Sequence, residues 1–141
     1  MDKTTSETAA RLRRAITRLN RKLRYSALGG VTPAQASMMA SIDKLESPSL
    51  GELAEAEQIQ PPSVTRLVKD LMKAALISSA SDPLDRRSTR VRLTVLGRRE
   101  LNAIRQRKTE FLDRKLLALS PVDQRQADKL VLFLEALLED E

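Results

Sequence analysis

Two adjacent prolines, Pro61 and Pro62, constrain this chain more than any other feature. Neither has an amide hydrogen and the ring of each collides with a preceding helical turn, so the pair fits only where a helix begins. A polar link, Glu57-Gln58-Ile59-Gln60, therefore separates a helix that ends before it from one that starts at Pro61. That second helix is predicted to reach about Ala74, with Val64, Leu67, Val68 and Leu71 on one side. Ser63, Arg66, Lys69, Asp70 and Lys73 fall largely on the other, with Thr65 at the margin. Two short helices around a tight turn, the second polar and basic outside, match a helix-turn-helix; an ordinary solvated surface helix shows the same pattern.

The segments on either side extend the pattern. Leu12, Ile16, Leu19 and Leu23 set one apolar stripe on a helix over about 6 to 28, ended by Gly29-Gly30. Thr32-Pro33-Ala34-Gln35 has the cap, first-turn proline and reciprocal glutamine of a capping box, opening a helix expected to bury Ala36, Met39, Ala40 and Ile42 through Leu45. Ser49 and Glu52 repeat the box spacing before a short helix with Leu53 and Ala56 inward. Past the central helix, Leu76 to Ala80 is a strand candidate, and Arg90 to Thr94 alternates, with Val91 and Leu93 on one face. The polar loop between them carries Arg86 and Arg87 at its tip. A basic two-stranded ribbon directly after such a helix is a wing, placed to reach a duplex beside it; an ordinary hairpin with surface ion pairs is the bland alternative. Thr94 caps a long helix through Leu101, Ile104, Phe111 and Leu119, and Ser120-Pro121 opens a last one bearing Leu130, Val131, Phe133, Leu134, Leu137 and Leu138. Both terminal segments carry more apolar surface than one small domain needs, the arrangement of a dimer platform; ordinary packing within one chain is the alternative.

Charge narrows the function. Residues 61–110 hold twelve basic and five acidic side chains within a chain whose net charge is +6, so the positive field belongs to the middle, which favours a polyanionic partner. A second basic cluster, Arg11 to Arg24, lies near the N-terminus and reads equally as a solvated face or as nucleic-acid contact. Cysteine and histidine are absent from the 141 residues, which removes disulfides, thiol redox sensing, Cys/His zinc sites and Cys- or His-based nucleophilic catalysis. The carboxylate pairs Glu52/Glu55 and Asp82/Asp85 occur where caps and turns explain them, so no catalytic or metal site is assigned. No apolar run is long enough for a membrane span, and the opening residues lack a secretory pattern, so a cytoplasmic location is expected.

The combination Ser49-Leu50-Gly51-Glu52-Leu53-Ala54, Pro61-Pro62-Ser63-Val64-Thr65-Arg66-Leu67-Val68, Asp82-Pro83-Leu84-Asp85-Arg86-Arg87 and Val91-Arg92-Leu93-Thr94-Val95-Leu96-Gly97 resembles the MarR family of winged helix-turn-helix transcription regulators. The resemblance implies a mainly α fold with a small β wing: one domain, 1–141, with a winged helix-turn-helix lobe at 33–97 and dimerisation helices at 6–28 and 98–138. It further implies a homodimer on a pseudo-palindromic double-stranded operator, usually repressing, often released by a small aromatic or phenolic effector. Pro62, Ser63, Thr65, Arg66 and Lys69 fall on the recognition-helix surface and Arg87 on the wing arginine. Arg86 and Arg90 complete the expected DNA-binding set, and Asp85 matches the acid that steadies the wing. Where the family usually has glycine before the first wing strand, this chain has Ala75, a cost of roughly 1 kcal/mol if the backbone there is left-handed. Tyr25 is the sole phenol, placed either beside a ligand cleft or in simple packing. The competing function is a helical protein-interaction module without specific DNA binding.

Overall fold

A computed structural model describes residues 3–139. Within them the element order is α1 (Lys3–Ala27), α2 (Pro33–Leu45), α3 (Leu50–Glu57), α4 (Pro61–Lys73), β1 (Ile77–Ser81), β2 (Thr89–Leu93), α5 (Val95–Leu117) and α6 (Pro121–Ala136). The fold is mainly helical with one small antiparallel sheet, as the sequence implies.

Local chemistry sets most of the boundaries. At α2 the capping box is complete: the Gln35 N–H donates to Thr32 Oγ1 at 3.1 Å and the Thr32 N–H to Gln35 Oε1 at 3.0 Å. Ser49, Thr94 and Ser120 cap α3, α5 and α6, each accepting from the N–H three residues on. The box expected at α3 is only half made, because the Glu52 side chain turns to Arg90 instead of back to Ser49. Pro61 and Pro62 occupy the first turn of α4, as their missing donors require.

The core lies where α2, α3 and α4 meet the wing and the start of α5. Met38, Met39, Ile42, Leu53, Val64, Val68, Leu71, Leu76, Ile77, Val91 and Leu101 form one buried cluster. Two inward assignments change. Leu45 and Ala56 are exposed, while Met38 and Ala54 take buried or half-buried places. In helices of 13 and 8 residues the inward arc is decided by neighbours from elsewhere in the chain, not by the helix's own sparse stripe. The strands sit one residue from the expected windows, pairing Ile77 with Leu93 and Ser79 with Val91. The link between α2 and α3 is stitched to this sheet, since the Val91 N–H donates to the Pro48 carbonyl at 3.0 Å and Ser49 bridges Arg90.

Ala75 closes α4 in the left-handed conformation, with φ 60°. The Leu76 N–H returns to the Leu71 carbonyl and the Ala75 N–H to the Met72 carbonyl, both at 3.0 Å, which is the paired bonding of a Schellman end. Glycine holds this conformation without the Cβ penalty. Ala75→Gly should therefore raise stability by roughly 0.5–1 kcal/mol after glycine's greater chain entropy is subtracted. A thermal or urea melt of the two proteins checks it; an unchanged or lowered midpoint would contradict it.

Directly behind the wing, Gly97 in the first turn of α5 is buried against Leu76. From there α5 runs past the lobe to α1. The Arg107 guanidinium donates to the Ala27 carbonyl at 2.9 Å and lies 3.7 Å from Glu100, fixing the end of α1 to the middle of α5. Asp43 of α2 accepts from Arg98 at 2.9 Å and Arg105 at 3.2 Å, tying the lobe to the same helix. α6 packs on α5 and leaves Leu130, Val131, Leu132, Phe133, Leu137 and Leu138 all more than half exposed.

Candidate nucleic-acid interface

The outer face of α4 is built by subtraction. Val64, Val68 and Leu71 turn into the core, which leaves Pro62, Thr65, Arg66 and Lys69 exposed and Ser63 half-buried. The Thr65 hydroxyl donates to the Pro61 carbonyl at 3.1 Å. The side chains of Arg66 and Lys69 have no hydrogen-bond or ion-pair partner among the described residues. A guanidinium and an ammonium one turn apart thus stand free on one face, the guanidinium able to address two acceptors at once and the ammonium acting as a point charge.

The wing loop is held by a buried acid, the first of the Asp82/Asp85 pair. Asp82 is 8% exposed. Its Oδ1 accepts the Leu84 N–H at 2.9 Å and its Oδ2 accepts Arg90 Nε at 3.0 Å, while Arg90 Nη1 donates to Glu52 Oε1 and the Ser47 carbonyl, each at 3.1 Å. The Asp82 N–H also bonds the Ser88 carbonyl at 2.9 Å, closing the loop. Asp85 has a more local role, accepting the Arg87 N–H at 3.1 Å and offering its carbonyl to Ser88. Its carboxylate stands 4.0 Å from Arg87 Nε, a loose pair between exposed groups. The structure therefore separates the three expected wing cations. Arg86 and Arg87 are exposed at the tip, Arg87 with 98% of its side chain accessible, whereas Arg90 is committed to Asp82 of the wing loop and to Ser47 and Glu52 on the body of the lobe. The Asp-Pro step at 82–83 was the available signal for Asp82, since aspartate before proline favours a side-chain-stabilised turn.

Hydrogen bonding fixes the charge states. The Leu84 N–H, and after it Arg90, hold the Asp82 carboxyl below its ordinary 3.8, while the bond to Asp82 raises Arg90. A depressed carboxylate stabilises the fold above its unfolded pKa and loses that contribution as pH falls through the folded value. Wild-type wing order should accordingly persist from neutrality down to about pH 3.8 and fail only below it. Asp82→Asn should loosen the wing already at pH 7 and lack the acid step. Amide exchange of residues 82–91 followed across pH reads both; identical profiles for the two proteins would sink the assignment.

A cleft of about 320 Å³ lies between α1, α2 and α5. Ala36, Ala40, Leu101 and Ile104 are among its apolar lining residues, and Arg24, Arg105 and Lys108 are its basic ones, Arg105 also being paired with Asp43. No aromatic side chain lines it. Tyr25 instead stands exposed beside α1's own arginines, with Arg21 5.8 Å from its ring centre. Among the described residues no acidic cluster of metal-binding form is present, and no helix is long and apolar enough to cross a membrane.

Comparison with known proteins adds independent observations. Residues 31–89 match the MarR family profile. Over 113 residues the chain is 29% identical to the HTH-type transcriptional regulator MT0903.1 of Mycobacterium tuberculosis, covering 79% of each protein. It is 31% identical over 98 residues to the HTH-type transcriptional repressor MdtR of Bacillus subtilis, spanning 70% of this chain and 63% of that one. A crystal structure from Pseudomonas aeruginosa, assigned as a transcriptional regulator protein, is 28% identical and superposes over 100% of this chain and 99% of its own with a TM-score of 0.86.

Proposed function

We propose that this chain, whose residues 31–89 match the MarR family profile, is a winged helix-turn-helix transcriptional regulator that binds a pseudo-palindromic DNA operator as a homodimer and represses transcription until a small organic acid releases it. The observation that carries the reading is the joint exposure of α4's unpaired Arg66 and Lys69 and the wing-tip Arg86 and Arg87, two cationic features anchored on one core. In this reading α4 enters the major groove with Pro62, Ser63, Thr65, Arg66 and Lys69 at its surface, and Arg87 enters the adjacent minor groove. Arg90, also expected on the duplex, is in this reading the tie that sets the wing against α3. The name of the Bacillus relative supports repression as the direction of control.

The cleft supports the effector. Three basic residues in a partly apolar lining suit a carboxylate with a compact apolar body better than a neutral phenol. Arg105 both lines the cleft and pairs with Asp43, so a ligand that takes this guanidinium weakens the tie between lobe and α5.

Selection of bound duplexes from a random pool tests the reading and returns the operator. Arg66→Ala should cost about 1–3 kcal/mol and flatten preference at one symmetric pair of positions. Lys69→Ala should weaken all duplexes alike and lower the salt slope. A wild-type protein that enriches no motif, or an Arg66→Ala protein that enriches an unchanged one, would contradict the assignment.

A further inference from the structure

Leu84 has 97% of its surface exposed, the highest value among the exposed large apolar side chains of the described residues. A lone exposed leucine is ordinary and by itself says nothing. This one is held in place. Its N–H is bound by Asp82, which is locked by Arg90 and by the 2.9 Å bond from the Asp82 N–H to Ser88. Pro83 fixes φ immediately before it, and the Asp85 to Arg87 bond fixes the loop after it. The tip is therefore a rigid bracket presenting one apolar side chain that takes no part in the core.

Its position decides what it meets. Arg87 is three residues away along the chain, a backbone span of at most ~10 Å, so Leu84 and the Arg87 guanidinium are both carried on the same exposed loop tip. The loop's other exposed side chains include Arg86 and Arg87, and Arg92 is exposed on the adjoining strand; this positive rim fits a polyanion. A protein-docking patch would need several neighbouring apolar side chains, and within residues 82–88 only Pro83 joins Leu84.

Resting on the DNA-binding reading above, we propose that Leu84 is an apolar contact of the wing, packing on deoxyribose and base edges in the minor groove beside Arg87. Sugar C–H groups make the walls of that groove apolar, and an inserted apolar side chain gains most where a step unstacks easily. Leu84 thus favours flanks containing a pyrimidine–purine step such as TA or CA.

The experiment uses the duplex selected by the full wild-type chain, in versions whose flanks carry or lack such a step, with 2-aminopurine at the step. Leu84→Asn should lose about tenfold affinity on flanks that carry the step and little on those that lack it. The melting temperature should stay unchanged, because the side chain supports nothing in the fold. So should the salt slope, because no charge is removed, whereas Arg87→Ala should lower that slope. Leu84→Met should bind within about twofold of wild type, since it restores an apolar side chain of similar volume. Wild type should raise 2-aminopurine fluorescence on binding and Leu84→Asn should not. Equal affinity and fluorescence for wild type and Leu84→Asn would overturn this inference while leaving the DNA-binding reading intact, as would equal losses on both flanks. A wild type that selects no duplex overturns both.

Discussion

Gly97→Ala is expected to destabilise the protein by about 3 kcal/mol or more, the largest effect among the chain's four glycines. A Cβ at that position would stand 1.9 Å from the Leu76 carbonyl oxygen and 2.9 Å from its carbon, well inside contact distance. The obstructing atoms are backbone, so no rotamer change relieves the clash. That same carbonyl accepts the Thr94 N–H at 3.1 Å, and the Thr94 hydroxyl donates to the Ala75 carbonyl at 2.6 Å, so moving the strand aside breaks the junction of wing and α5. Gly30→Ala is the matched control, because a Cβ there meets nothing within 4 Å. Urea melts of both variants decide the matter: a Gly97→Ala midpoint equal to that of Gly30→Ala would show that the close approach is relaxed at no cost.

The second large effect concerns assembly. Leu134→Asp or Leu137→Asp should shift the protein from the proposed dimer to single chains of 15.8 kDa, or to unfolded chain. The reason is the breadth of the apolar face of α6, which one copy of the chain leaves uncovered. A carboxylate introduced into such a face once a partner covers it loses its water and finds no cation, a penalty of several kcal/mol counted once for each protomer. Sedimentation at micromolar concentration reads the mass of each protein. A wild type already sedimenting at 15.8 kDa would remove the dimer, and with it the paired half-sites of the proposed operator.

The contrast between what could and could not be read from the sequence has a physical basis. The caps at Thr32, Ser49, Thr94 and Ser120 are legible because each is a bond to an N–H three residues away, complete within four residues. The prolines are legible for the same reason: a missing donor acts where it stands. The exposed face of α4 follows from its period, since Val64, Val68 and Leu71 leave only one side for Arg66 and Lys69. The role of Arg90 is not legible, because its partners Glu52 and Ser47 lie 38 and 43 residues away and meet it only after the wing folds back on α3. Strand alternation puts Arg90 on the outward face but does not say what waits there. The cationic cleft escapes for a similar reason, as Arg24 comes from α1 and Arg105 and Lys108 from α5, with no local spacing to connect them.

Because α5 is unbroken from Val95 to Leu117, it acts as a stiff arm of about 34 Å, one end seated on the wing through Gly97 and the other among the terminal helices. Arg98 and Arg105 fasten the lobe along one side of that arm, and Arg107 fastens α1 to it. A tilt of only about 10° at the far end would carry the wing through roughly 6 Å, more than the spacing of one base pair along a duplex, where successive turns of the groove recur at about 34 Å. In a two-fold assembly both arms swing together and the separation of the two reading heads changes by up to twice that amount. On the proposed operator, such a two-fold assembly would respond to half-site spacing as well as to sequence. Insertion or deletion of a single base pair between half-sites would then be felt through the length of one helix, without any change in the side chains that touch the bases.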